Sequence, residues 1–210
     1  MTIDQKFIHQ LVNVTSKAAI ASYQFIGKKD KISADKAAVD SMRTELNQMN
    51  INGEIVIGEG ELDEAPMLYI GEKVGTTQGP EIDIAVDPLE GTNFVSNNLP
   101  GALSVISIAE KNNLFNAPET YMEKISAKVK EKGVIDLDYT VKKNIFNLSE
   151  YLNKKPESIK ACVMDRPRHK DIIEELNRIG VKIKLITDGD VMGALFVTDK
   201  KYKVDIFLGI

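Results

Sequence analysis

Apolar residues fall at helical spacing through the first fifty positions and then gather into short strand-like runs. Over 4–26 they stand at Phe7, Leu11, Val14, Ala18 and Phe25, the stripe of an amphipathic helix, with Gly27 as its stop. A polar link, Lys28-Lys29-Asp30-Lys31, leads to Ser33, which the pattern predicts as the N-cap of a second helix reaching about Met49. Ala34, Ala38, Met42, Leu46 and Met49 form the stripe of that helix, and Asp35 falls in its first turn. Beyond it, 55–57, 82–87 and 102–110 read as buried strands rich in β-branched residues. The second of these runs ends abruptly at Asp87-Pro88.

Helical periodicity returns over 121–131 and briefly over 149–153. From Ile159 the alternation is regular: strand 159–164, helix 168–179, strand 181–186, helix 190–197, strand 204–208. Such alternation predicts an α/β protein whose strands are at least partly parallel. The lysine pair and proline within 153–156 mark a junction. The expected division is therefore 1–156 as one α/β domain and 157–210 as the start of a second.

Composition narrows the class without naming a reaction. The 210 residues are 43% hydrophobic and 28% charged, as in a globular protein with a real core. With 31 acids against 27 bases, the net charge of -4 argues against nucleic acid as the main partner. A single cysteine, Cys162, excludes an internal disulfide, fits a reducing compartment and reads as a core residue of its strand. Acids and amides occupy 1–13 where a signal peptide would be apolar, and no uncharged run has transmembrane length. A cytoplasmic protein without membrane contact is expected.

Three groups of acids stand at the edges of predicted elements: Asp35 at a helix start, Glu59 after a strand, and Asp87 with Glu90 after another. Carboxylates gathered at strand ends can hold Mg²⁺ or Mn²⁺, which prefer hard oxygen donors. Taken alone, each acid reads first as a solvated loop residue or a helix cap. The octet "VDPLEGTN", residues 86–93, is more specific. Pro88 restricts Asp87 to extended geometry, Gly91 allows close backbone approach to an anion, and Thr92 adds a hydroxyl. Metal ligands beside an amide cradle suit phosphate ester hydrolysis. The plainer reading is a tight turn, because Asp, Pro and Gly are ordinary turn residues. In "GEGELDEAP" the glycines flank Glu59, but the stretch is neither a dinucleotide fingerprint nor a calcium loop.

Two later strand ends carry polar clusters. "DRPRH", 165–169, offers Arg166 and Arg168 for a phosphate or a sugar hydroxyl, and "DGD", 188–190, offers two acceptors for hydroxyls. A solvated helix start and a turn explain them equally well. His169, beside the arginines, reads as structural or as a surface residue, and His9 lies on a polar helix face.

Taken together, "IVIGEGELDEAPMLYIGEKVG", "DIAVDPLEGT", "NAPETYMEK" and "DGDV" closely resemble the bacterial class II fructose-1,6-bisphosphatases. That family belongs to the lithium-sensitive, metal-dependent sugar and inositol phosphatases. The resemblance covers essentially the whole chain. It implies a layered α-β-α-β-α sandwich of the sugar phosphatase type. It also implies two or more Mg²⁺ or Mn²⁺ ions, with Asp35 and Glu59 serving one and Asp87 and Glu90 another. Thr92 then corresponds to the residue that orients the attacking water, with Asp35 and Glu59 beside it in catalysis. The backbone of Glu90, Gly91 and Thr92 corresponds to the cradle of the scissile 1-phosphate. Tyr121, Arg166-Pro167-Arg168 and Asp188-Gly189-Asp190 correspond to contacts with the sugar and its second phosphate. In some relatives a lysine replaces the arginine before the proline.

The activity implied is hydrolysis of fructose 1,6-bisphosphate to fructose 6-phosphate in gluconeogenesis, by a homo-oligomer. Sedoheptulose 1,7-bisphosphate or an inositol phosphate is the alternative substrate. In the family the strand corresponding to "VDIFLGI" runs into a G-G-x-P-E-G segment whose glutamate is a further metal ligand, and a large carboxy-terminal part follows. This sequence stops at Ile210, so its second domain is expected to be incomplete. A third reading is accordingly an inactive remnant that binds sugar phosphate or a full-length partner.

Overall fold

A computed structural model describes residues 5–58, 68–116, 118 and 120–210. The protein is α/β and divides into two compact units, 1–120 and 121–210. The stretch 153–156, read above as a junction, lies inside the second unit between a helix and a strand.

In the first unit, two helices come first: α1 (Lys6–Tyr23) and α2 (Lys31–Asn47). A four-stranded sheet follows, built from β1 (Asn52–Ile57), β2 (Lys73–Val74), β3 (Glu81–Glu90) and β4 (Leu103–Glu110). Its order is β2-β1-β3-β4, with β1 and β3 parallel and the other pairs antiparallel. The helices pack on each other and on β3. The stripes read from the sequence are the ones that go inside: Val14, Ala18, Ala34, Ala38, Met42 and Leu46 meet Ile55, Ile82, Ile84 and Val86 in one core. Burying each large side chain contributes roughly 1.5–3 kcal/mol against the entropy of ordering the chain.

The cap of α2 differs from expectation. Asp30 is the N-cap, and its carboxylate accepts from the Ser33 amide at 3.0 Å. The helix therefore opens at Lys31, and Asp35 stands beyond the first turn. Aspartate and serine both cap well, and here the first of the two wins.

The second unit holds another four-stranded sheet, from β5 (Lys124–Ala127), β6 (Lys160–Met164), β7 (Lys182–Ile186) and β8 (Ile206–Gly209), in the order β5-β8-β6-β7. β6 runs parallel to β7 and β8, while β5 is antiparallel to β8. The helical expectation for 121–131 is thus overturned, because this segment supplies the edge strand beside β8. Successive residues of β6 face opposite ways, Ala161 and Val163 into one core and Cys162 and Met164 into another. α4 (Val141–Tyr151) and α5 (Lys170–Ile179) supply Ile145, Leu148 and Leu176 to the first core. The second core lies beside α6 (Asp190–Leu195) and holds Phe196, Val197 and Phe207. α4 begins well before the expected 149–153, capped by Thr140, whose hydroxyl accepts from the Lys143 amide. Cys162 is fully buried and its thiol is pushed up to about 11 by that burial, in keeping with a core role.

Candidate active site

The octet 86–93 sits where β3 gives way to a short helix, α3 (Thr92–Ser96). β3 does not stop at Asp87-Pro88 as expected. It continues to Glu90 through an irregularity: Asp87 pairs with Val105 and Glu90 with Leu103, so three steps on β3 answer two on β4. A proline cannot donate to a ladder, and a bulge is how a strand carries one. Within the bulge the Asp87 carboxylate accepts from the Leu89 amide at 3.2 Å, which fixes it over the turn.

Glu90 is buried, 7% exposed, in spite of its charge. Gly91 follows in the left-handed region, with φ 85° and ψ 48°. A Cβ there would stand 2.7 Å from Cδ2 of Phe94. Glycine is needed on both counts, and this turn brings Glu90 and Thr92 out on consecutive bends of the backbone. Asp35 lies on α2, which packs against both β3 and α3. Its element therefore adjoins those of Asp87, Glu90 and Thr92.

Glu59 lies outside the described residues. Among the described residues no three His, Cys, Asp or Glu side chains stand close enough to hold a metal ion. In kind, the donors fit a hard divalent cation, since Asp35, Asp87 and Glu90 are all carboxylates. In number, the described set falls short of a closed shell.

The second unit gathers its candidates at the carboxyl ends of β6 and β7. Pro167 opens a single 3₁₀ turn (Pro167–His169) that leads into α5, with Arg166 at its cap. An Arg166 guanidinium nitrogen lies 3.9 Å from Asp188. The Arg168 guanidinium lies 4.1 Å from the centroid of the Tyr121 ring, and its Nε donates to the Ile210 oxygen at 2.8 Å. Gly189, at φ 79°, turns the chain into α6 so that Asp190 heads the helix. Asp190 meets Lys124 at 2.8 Å.

Two residues join this group that the motifs did not assign to it. Lys124 was hidden by the helical reading of its segment, and only as a residue of β5 does it reach Asp190. His169 is fully buried, and its Nε2 accepts from the Ile210 amide at 3.0 Å. Desolvation, then the nearby Arg168 and Lys124 charges, hold its pKa below 6.5. It is neutral and structural, one of the two roles expected of it.

Comparison with known proteins identifies the family of the chain. Residues 5–210 match the family model described as "Bacterial fructose-1,6-bisphosphatase, glpX-encoded". The chain is 48% identical over 193 residues to the D-fructose 1,6-bisphosphatase class 2/sedoheptulose 1,7-bisphosphatase of Synechococcus sp. (strain CC9902), covering 92% of this chain and 58% of that protein. It is 45% identical over 197 residues to fructose-1,6-bisphosphatase 1 class 2 of Escherichia coli (strain K12), covering 94% and 59%. The chain thus spans just under three fifths of the length of these two curated relatives. With the match running through both units, the chain belongs to the bacterial, glpX-encoded fructose-1,6-bisphosphatase family.

Proposed function

We propose that the protein acts in hydrolysis of the 1-phosphate of fructose 1,6-bisphosphate, releasing fructose 6-phosphate. The observation that supports this most is the Asp87–Thr92 turn, where a strand bulge, a buried glutamate and an obligatory glycine sit in a chain matching the family from 5 to 210. Mg²⁺ or Mn²⁺ ions, two or more, would supply charge neutralisation and a more acidic water. Asp35, Asp87 and Glu90, with Glu59, would hold them. The buried setting of Glu90 favours such a role, because a carboxylate kept from water gains most from a cation.

The chain's own groups then divide the work. Thr92 orients the attacking water through its hydroxyl. The Glu90, Gly91 and Thr92 backbone receives the scissile phosphate. Arg166 and Arg168 offer planar donors to the second phosphate, and Asp188 and Asp190 accept from sugar hydroxyls. Tyr121, Pro167 and Gly189 set the positions of these groups. Lys124, held by Asp190, joins the set on geometry. A cytoplasmic homo-oligomer belongs to the same proposal. Among the described residues no helix is long and apolar enough to cross a membrane.

Sedoheptulose 1,7-bisphosphate is a second substrate on this reading, because the 48% identical Synechococcus relative is named for both activities. Phosphate release from the two bisphosphates and from inositol 1-phosphate, with Mg²⁺ or Mn²⁺, tests the proposal. Release from fructose 1,6-bisphosphate is expected to be abolished by EDTA and inhibited by lithium. Undiminished release in EDTA, or faster turnover of the inositol phosphate, overturns it.

A further inference from the structure

We propose that the second unit carries a separate anion-binding site at the amino-terminal ends of its parallel strands, for a small molecule bearing two or more phosphate groups. A cavity of about 610 Å³ opens there, lined by Lys128, Lys154, Lys160, Lys182, Lys200 and Lys203. Six of the chain's 27 basic residues thus surround one cavity, in a protein whose net charge is -4.

The two acids in the same lining are already engaged. Asp205 pairs with Lys154 and also accepts from the Lys160 amide at 2.9 Å. Asp199 pairs with Lys201 at 3.0 Å and accepts from its amide at 2.9 Å. Lys128, Lys160, Lys182, Lys200 and Lys203 have no carboxylate within ion-pairing distance among the described residues. Six lysines against two carboxylates leave the lining net positive, which favours entry of an anion.

The backbone adds a second observation. Lys203 stands at φ 53°, in the left-handed region that costs a non-glycine residue about 1 kcal/mol. It is the left-handed cap of the 3₁₀ turn 200–202, and this turn brings Lys200 and Lys203 into the lining together. Leu152, Val197 and Val204 give the hollow an apolar part, and its volume is that of a small-molecule pocket. Lysine heads are compact point charges, suited to phosphate oxygens.

This site is not a branch of the substrate loops. Lys160 and Lys182 open β6 and β7, whereas Arg166 and Asp188 follow the other ends of the same strands. Five residues of strand put about 15 Å between the two groups. A phosphorylated ligand would therefore bind without occupying the substrate's place.

Tripolyphosphate is the probe, titrated into the full chain by calorimetry and followed through backbone amide shifts. The expected result is a saturable site whose titration moves the amides of Lys160, Lys182 and Lys203. Lys182→Gln with Lys203→Gln, both at exposed side chains, should weaken it about tenfold or more. Arg168→Gln should leave it in place. Binding that survives the double substitution unchanged, that disappears in Arg168→Gln, or that never saturates overturns the proposal.

Discussion

Arg168 lies over the ring of Tyr121, with the guanidinium carbon 4.1 Å from the centroid, while its Nε donates to the Ile210 oxygen. The ring contact and the hydrogen bond hold a planar cation beyond the carboxyl end of β6. Lysine keeps the charge but can neither stack flat nor donate from two edges. Arg168→Lys is therefore expected to raise KM for fructose 1,6-bisphosphate about tenfold, with a smaller change in kcat. Tyr121→Ala should raise KM about threefold, and Tyr121→Phe, which keeps the ring face, should be nearly silent. Steady-state phosphate release measures all three. A fall in kcat at constant KM would remove Arg168 from ground-state binding.

His169 gives a pH dependence of folding. Burial of the ring first, and then the nearby Arg168 and Lys124 charges, hold its pKa below 6.5 in the folded protein, where its Nε2 accepts from the Ile210 amide. Above pH 6.5 the ring is neutral folded or unfolded, and its contribution to stability is complete. As the pH falls below 6.5 the unfolded chain takes up a proton that the folded one resists. Stability is then lost until the folded pKa is passed. Urea midpoints measured from pH 7.5 to 5 should decline over this window. His169→Gln, which cannot titrate, should flatten the decline.

Glu54 gives the opposite end of the pH scale. Hydrogen bonds from Lys111 first and Lys73 second hold its carboxyl down to about 2, against 4.5 unperturbed. Its contribution is complete above pH 4.5 and is lost as the pH falls toward 2. Lys111 also reaches Asp83, 2% exposed, at 3.2 Å. Among the described residues, Lys111→Met leaves that aspartate only the Asn113 and Leu114 amides, and should cost on the order of 2 kcal/mol of stability by denaturant titration. Near-neutral stability would show that the two amides suffice.

Gly91 is tested by a single methyl group. Alanine there must adopt φ 85° and meet the buried Phe94 ring at 2.7 Å. Gly91→Ala should lower stability by about 1–3 kcal/mol and weaken turnover with it. Adding Phe94→Leu should recover part of the stability, since it removes the ring but not the strained φ.

The places where sequence and structure part company have local causes. Ile125 and Val129 are four residues apart, a spacing that serves one helix face and one strand face equally well. Only the need of β8 for a neighbour decides for a strand, and that partner lies some eighty residues away. The bulge in β3 is equally invisible locally, because Pro88 signals an end unless β4 is known to continue past it. By contrast, the helical stripes of α1 and α2 and the alternation after Ile159 report burial directly, and those elements are present in the expected order, with shifts confined to their ends. The site divides the same way. The candidate residues around Asp87 and Arg166 stand out in the sequence by type and by their place after strands. Lys124 is not, because its meeting with Asp190 depends on the misread strand.

Thr92 carries the last prediction. It is the first residue of α3, directly after the left-handed turn at Gly91, and its side chain is half-buried beside the buried Glu90. If its hydroxyl orients the attacking water, Thr92→Val, which matches its shape without the hydroxyl, should lower kcat about 10²–10⁴-fold with KM little changed. Thr92→Ser should retain most activity, because it restores the oxygen and loses only a methyl group. A structural role predicts a different order: valine, β-branched like threonine, would hold the turn, and serine would loosen it. Denaturant midpoints taken with the kinetics separate the two. Equal loss of kcat in both variants, in step with equal loss of stability, assigns Thr92 to the turn and removes it from the chemistry.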